Sequence, residues 1–134
     1  MIRMRGLARS TTAVVASMLA VVALSGCVPQ GPKNPVATFP VVDETYKIEL
    51  VTPELVAHAQ ALLDGEDVAA IPNGKVVRDN PGVNAPWSWH IDPATLEFAA
   101  ITIEVCDGLP SYVEDGTVTS DQYCPWSAKI ISID

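Results

Sequence analysis

The stretch Thr45–Gly65, TYKIELVTPELVAHAQALLDG, carries the clearest local signals in the chain. Tyr46, Ile48 and Leu50 alternate with Thr45, Lys47 and Glu49, a period of two that turns one face of a strand to a core and the other to water. Thr52-Pro53 then supplies a side-chain oxygen for an N-cap and a proline for the first helical position, where no N–H is needed. From Glu54 to Asp64, Leu55, Val56, Ala59, Leu62 and Leu63 share one helical face, and Gly65 can take the left-handed conformation that ends a helix. His58 sits on the flank of that stripe, as a boundary residue.

Downstream, Gly65–Asn73 reads as an acidic loop (Glu66, Asp67) running into Pro72-Asn73-Gly74, a turn signal. Lys75–Arg78 is a short strand and Asp79-Asn80-Pro81-Gly82 a second turn. Trp87, Trp89 and Ile91 alternate with Ser88, His90 and Asp92 as a further strand. Phe98–Cys106 is the longest β-like run; its apolar parity shifts near Ala99-Ala100, which predicts a bulge before Ile101, Ile103 and Val105. Trp126–Ile133 forms the last strand. The expected fold is α+β, a small β-rich, sandwich-like domain of about five strands with one main helix.

Upstream, Val28–Pro40 (VPQGPKNPVATFP) holds four prolines and no periodicity, so it reads as a semi-extended tether, with a ligand for a proline-reading module as the lesser alternative. Before it, Arg3, Arg5 and Arg9 precede an apolar run, Thr12–Leu24, too short to span a bilayer core of about 30 Å as a helix. This is the layout of a signal peptide. Its end, Leu24-Ser25-Gly26-Cys27, resembles the bacterial lipobox, in which the cysteine thiol is acylated and becomes the new N-terminus; the alternative is a secretory peptide with a chance cysteine. The expected organisation is a signal peptide over 1–26, a lipidated Cys27 with tether over 27–40, and one extracytoplasmic domain over 41–134. Several acyl chains on one cysteine would hold the chain on a membrane it does not span. Val28 is not aspartate, so either an outer membrane or the outer face of the cytoplasmic membrane suits it.

The 134 residues carry 16 acidic and 8 basic side chains, and all of the acids but only five of the bases follow Cys27, leaving the mature chain at −11. That balance excludes nucleic acid, which needs clustered lysine and arginine, and assigns membrane contact to the lipid anchor rather than to the protein surface. With Cys27 acylated, Cys106 and Cys124 remain to pair in an oxidising compartment. Closing that loop should stabilise the domain by roughly 3 kcal/mol. A metal or redox pair is the weaker alternative, since no Cys-x-x-Cys is present.

Ser88, His90 and Asp92 suggest a hydrolytic triad, but residues two apart on a strand lie about 6.6 Å apart, beyond the reach of a nucleophile–base hydrogen bond. A hydrolase using His90 is therefore a minor alternative, and a non-enzymatic role is expected. Asp92, Glu104, Asp107, Glu114 and Asp115 surround the Cys106 region and are the hard oxygen ligands calcium takes, although no EF-hand loop is present. Ser111 to Glu114 also fits a capping box, and a solvated acidic surface is the plainer reading. No other cofactor is called for. Trp87 and Trp89 on one strand face are either core, which the scarcity of aromatics favours, or a platform for a carbohydrate or protein ligand. The expected ligand surface is Trp87–Asp92, His90 included, with Asp107–Asp115.

Ala85–Pro93 (APWSWHIDP), then Ile103–Asp107 (IEVCD), Pro110–Asp115 (PSYVED) and Tyr123–Trp126 (YCPW), resemble in order and spacing a family of small secreted domains. That family shares its domain with the N-terminal part of an adhesion-type cell-surface membrane protein of eukaryotic microbes, and its bacterial members are often labelled calmodulin. The resemblance covers about Tyr46 to Ile133. It implies an extracytoplasmic domain with a paired cysteine and no established catalytic residues. The segment between Asp115 and Tyr123 is short for the family.

Overall fold

The computed structural model describes residues 33–134; the signal-like segment, Cys27 and the first part of the proline-rich stretch lie outside the described residues. In chain order the elements are β1 (Val36–Val41), β2 (Glu44–Glu49), α1 (Pro53–Leu63), β3 (Ile71–Val77), β4 (His90–Ile91), β5 (Glu97–Ala99), α2 (Pro110–Glu114), β6 (Gln122–Tyr123) and β7 (Ser132–Ile133), with 3-10 turns at Pro93–Thr95 and Glu104–Cys106. The fold is a small β-rich α+β domain of two antiparallel sheets and one main helix.

The first sheet has the order β2-β1-β7. β1 corrects the expected tether and the domain start at residue 41: Ala37, Phe39 and Val41 alternate inward, all but fully buried. Pro40 lies beyond the two residues of ladder that β7 lends, so its missing N–H breaks no pair. The β1–β2 hairpin closes through Val42 and Asp43, and Val42 holds a φ of 57°, unusual for a β-branched side chain. Beyond β2, α1 begins where the sequence predicts, with the Thr52 hydroxyl accepting from Leu55 N–H at 3.2 Å. Its inner face presents Leu55, Val56 and Ala59 to the core.

β3 organises the second sheet and runs through Pro72-Asn73-Gly74, which is therefore no turn. Pro72 has no N–H, so the β5 ladder uses Ile71 and Asn73, on the same strand edge where the Lys75 carbonyl accepts from Asp92 N–H at 2.8 Å. β4 and β5 are thus two pieces of one strand, interrupted by the Pro93–Thr95 turn, and β6 takes the opposite edge. Gly74 makes the interruption sterically possible: a Cβ there would lie 2.3 Å from Ile91 Cγ2 and 3.7 Å from Leu96 Cα.

The two sheets share one hydrophobic core. Tyr46, Trp89 and Tyr123 pack with ring centroids 5.2–5.9 Å apart, and Phe39 adds to Tyr46 at 5.6 Å. His58 is structural: its ring stacks on Phe98 at 4.5 Å and its Nε2–H donates to the Ala69 carbonyl at 2.6 Å. Asn84, the buried polar residue of this core, accepts from Lys47 N–H at 2.8 Å and donates to the Trp89 carbonyl at 2.9 Å. It clips the 80–89 loop to β2 and closes that strand's outer edge.

Substituting Gly74→Ala should destabilise the domain by about 1–3 kcal/mol, the usual cost of overpacking, measurable by denaturant titration. A second expectation concerns alkali. Burial raises the hydroxyl pKa of Tyr46 well above its usual value, with Tyr123 contributing, and raises that of Tyr123, with Asp107 and Glu44 adding. Groups whose folded pKa exceeds the unfolded one stabilise fully below the unfolded value of about 10 and progressively less above it. Thermal melts should therefore show the midpoint falling as pH rises beyond about 10.

Candidate functional site

Most of the residues that the sequence offers for chemistry are absorbed by the fold. Trp89 is 1% exposed, inside the core, while Trp87 is half-buried and its Nε1–H donates to the Thr45 carbonyl at 2.8 Å. Trp89 takes the favoured core place and the alternative, a paired-tryptophan platform, is not formed: the strand covers only His90–Ile91, and the two indoles leave the chain in irregular backbone before it. His90 packs over Gly82, and its Nδ1–H donates to the Asn80 carbonyl at 2.7 Å. Ser88 and Asp92 are engaged elsewhere: Ser88 N–H donates to Glu114 Oε2 at 3.0 Å, and Asp92 caps the Pro93–Thr95 turn through Ala94 N–H at 3.1 Å. The Ser88–Glu114 bond brings the Trp87–Asp92 and Asp107–Asp115 segments together, with the Ser88 N–H and the Glu114 carboxylate spent on one another.

The five acids expected to hold calcium do not converge, and among the described residues no three His, Cys, Asp or Glu side chains gather as a metal site. Four of the five are held by local chemistry instead. Asp107 Oδ1 accepts from Trp126 N–H at 2.8 Å. Asp115 accepts from Thr117 N–H at 2.8 Å, and the Thr117 hydroxyl and N–H hold its carboxyl pKa below the usual value. Glu104 sits exposed in the first turn of its 3-10 segment. The capping box is also replaced: α2 starts after Leu109, and Ser111 N–H donates to Glu44 Oε2 of β2 at 2.8 Å. Carboxylates spent on main-chain donors are no longer free to share one ion.

Cys106 and Cys124 form the expected disulfide, with Cα atoms 5.0 Å apart. It fixes the end of a segment the sequence misassigned. β5 stops at Ala99, and the expected long strand to Cys106 is absent; Ile101 is 87% exposed, Ile103 68% and Val105 57%. Trp126, 45% exposed, shares the lining of a cleft with Ile101. This ridge is flanked by two clefts. One, of about 260 Å³, includes Asn73, Glu97, Ile101, Thr102, Ser120 and Gln122 in its lining. The other, of about 200 Å³, lies between Ile71, Ala100, Ile101, Thr102 and Trp126. Asn73 Oδ1 and Thr102 Oγ1 are buried without a partner among the described residues, and both residues line the first cleft. The parity break at Ala99-Ala100 was the sequence signal for this face; it marks the end of a strand rather than a bulge.

The family model of the BP-74 N-terminal domain matches residues 35–134. The chain belongs to the BP-74 N-terminal domain family. The match begins one residue before β1, so the family's domain includes the strand that the proline pattern concealed. Nothing among curated proteins or solved structures matches the chain.

Millimolar calcium should leave the thermal midpoint of the oxidised protein unchanged, since a native-state ligand raises stability by RT ln(1 + [L]/Kd). A rise abolished by Asp107→Asn would return that carboxylate to a metal site.

Proposed function

We propose that this protein is a non-enzymatic binding module of the adhesion type, held outside the cytoplasmic membrane by a lipid on Cys27. The observation that carries the binding role is the uncovered ridge of Ile101, Ile103 and Val105, with Trp126 exposed across a cleft from Ile101. Exposed apolar surface of this kind marks a site of association, and membership of the BP-74 N-terminal domain family agrees with a surface module. Support for the anchor comes from Leu24-Ser25-Gly26-Cys27 after a short apolar run, and from the strongly acidic chain beyond it, whose surface would be repelled by anionic lipid. A ligand would be a protein or a carbohydrate displayed in the same space, and the anchor would keep the ridge at the cell surface.

Two variants test this reading in a bacterial host. Cys27→Ser should abolish incorporation of labelled palmitate and release the protein from the membrane fraction. Ile103→Glu should reduce the attachment of displaying cells to a surface or to other cells while leaving the thermal midpoint within about 1 °C, since substitutions at exposed positions seldom matter to stability. Attachment unchanged by Ile103→Glu would remove the ridge from function.

A further inference from the structure

Resting on that binding-module reading, we infer that the ridge adds an extended, lysine- or arginine-rich polypeptide strand alongside Ala100–Ile103. Three independent observations converge on this partner. The first is main-chain geometry. β5 ends at Ala99, yet the chain is again extended at Ile103 (φ −98°, ψ 154°). Among the described residues, the N–H and C=O groups of Ala100, Ile101 and Thr102 find no protein partner. An open strand edge is a template for pairing with another chain.

The second is side-chain alternation. Ile101 and Ile103 stand out from the surface while the Thr102 hydroxyl is buried between them. A strand laid beside this segment would meet apolar ridge and cleft in alternation, which is how strand addition gains specificity.

The third is charge. From Arg78 to Lys129 the chain contains no other lysine or arginine but eight acids, with Glu97 and Glu104 on either side of the ridge. The larger cleft holds two groups that can only accept, Asn73 Oδ1 and the Glu97 carboxylate, beside the hydroxyls of Thr102 and Ser120 and the amide of Gln122. Asn73 Nδ2–H donates to Glu97 Oε1 at 3.2 Å, which fixes the amide orientation and leaves Asn73 Oδ1 unpaired, alongside Thr102 Oγ1 and the Glu97 carboxylate. Among the described residues, no cationic side chain lines this cleft. An ammonium or guanidinium, which only donates, suits that lining; a phosphate or carboxylate does not. The same charge disfavours a second copy, which would set Glu97 and Glu104 against their own kind.

The test uses the full chain in detergent micelles and a fluorescein-labelled ten-residue peptide of alternating lysine and valine, followed by anisotropy. Saturable binding is expected, weakened at least tenfold by Ile101→Ser with Ile103→Ser, and similarly by raising salt from 0.05 to 0.5 M. Glu97→Gln should weaken it several-fold. A glutamate–valine peptide should not bind, nor should a lysine–valine peptide N-methylated at every residue, which has no main-chain donor on either edge. Equal binding of the acidic or N-methylated peptide, or binding indifferent to the double serine variant, would overturn the inference. Self-association lost in the double serine variant would assign the ridge to a second copy instead. If cell attachment depends on Ile103 but the lysine–valine peptide does not bind, this inference fails and the binding-module reading stands. If attachment ignores Ile103 as well, both fail.

Discussion

The packing of Tyr46, Trp89 and Tyr123 is the constraint from which the rest of the domain follows. Their rings meet within 5.9 Å, and they come from β2, from the loop before β4 and from β6. Burying Trp89 draws in the whole 80–89 loop, whose Asn84 and Trp87 then bond to the main chain of Lys47 and Thr45. The outer edge of β2 is closed in consequence. Burying Tyr123, whose hydroxyl donates to the Gly108 carbonyl at 2.8 Å, sets Cys124 beside Cys106. With β5 ending on β3 and Cys106 held to Cys124, residues 100–105 must cross between two fixed points. Their apolar side chains have no inner face left to occupy. The exposed ridge is thus a product of the core and the disulfide together.

Where the sequence was legible, a local rule and the tertiary fold agreed. Thr52-Pro53 and Gly65 bound α1 because caps act within a few residues and need no distant partner. The alternation at Tyr46–Leu50 held because that strand has one wet face. Agreement failed where a distant contact overrode a local signal. The β1–β2 hairpin has no asparagine or glycine at its turn, since Val42 accepts the positive φ, and the flanking prolines disguised β1 as a tether. Pro72-Asn73-Gly74 has turn composition, but the proline lies where the β5 ladder asks nothing of its nitrogen, and the glycine makes room for Ile91.

The site was legible in its chemistry and not in its placement. Spacing and compartment led correctly to the Cys106–Cys124 bond. Trp89 lies in the core, as the scarcity of aromatics favours, while Trp126, expected in a strand, stays out. Nothing in the residues near Trp89 announces that Tyr46 and Tyr123 will meet it. The acids looked like ligands because composition counts carboxylates, whereas geometry counts free ones, and Asp92, Asp107, Glu114 and Asp115 each already accept from a main-chain N–H.

Three exposed β-branched residues in an unpaired segment are normally a hazard, because any similar segment can pair with them. Here the surroundings restrict the choice. A stretch with eight acids and no base between Arg78 and Lys129 makes a second copy, an acidic protein or an anionic membrane a poor companion for the ridge. Electrostatic repulsion of this kind needs no contact and so protects the ridge at every encounter within a Debye length, about 8 Å at physiological salt. A cationic strand meets the opposite field and the accepting groups of Asn73 and Glu97 in the larger cleft. The apolar residues supply affinity for many partners; the charge around them decides which can approach.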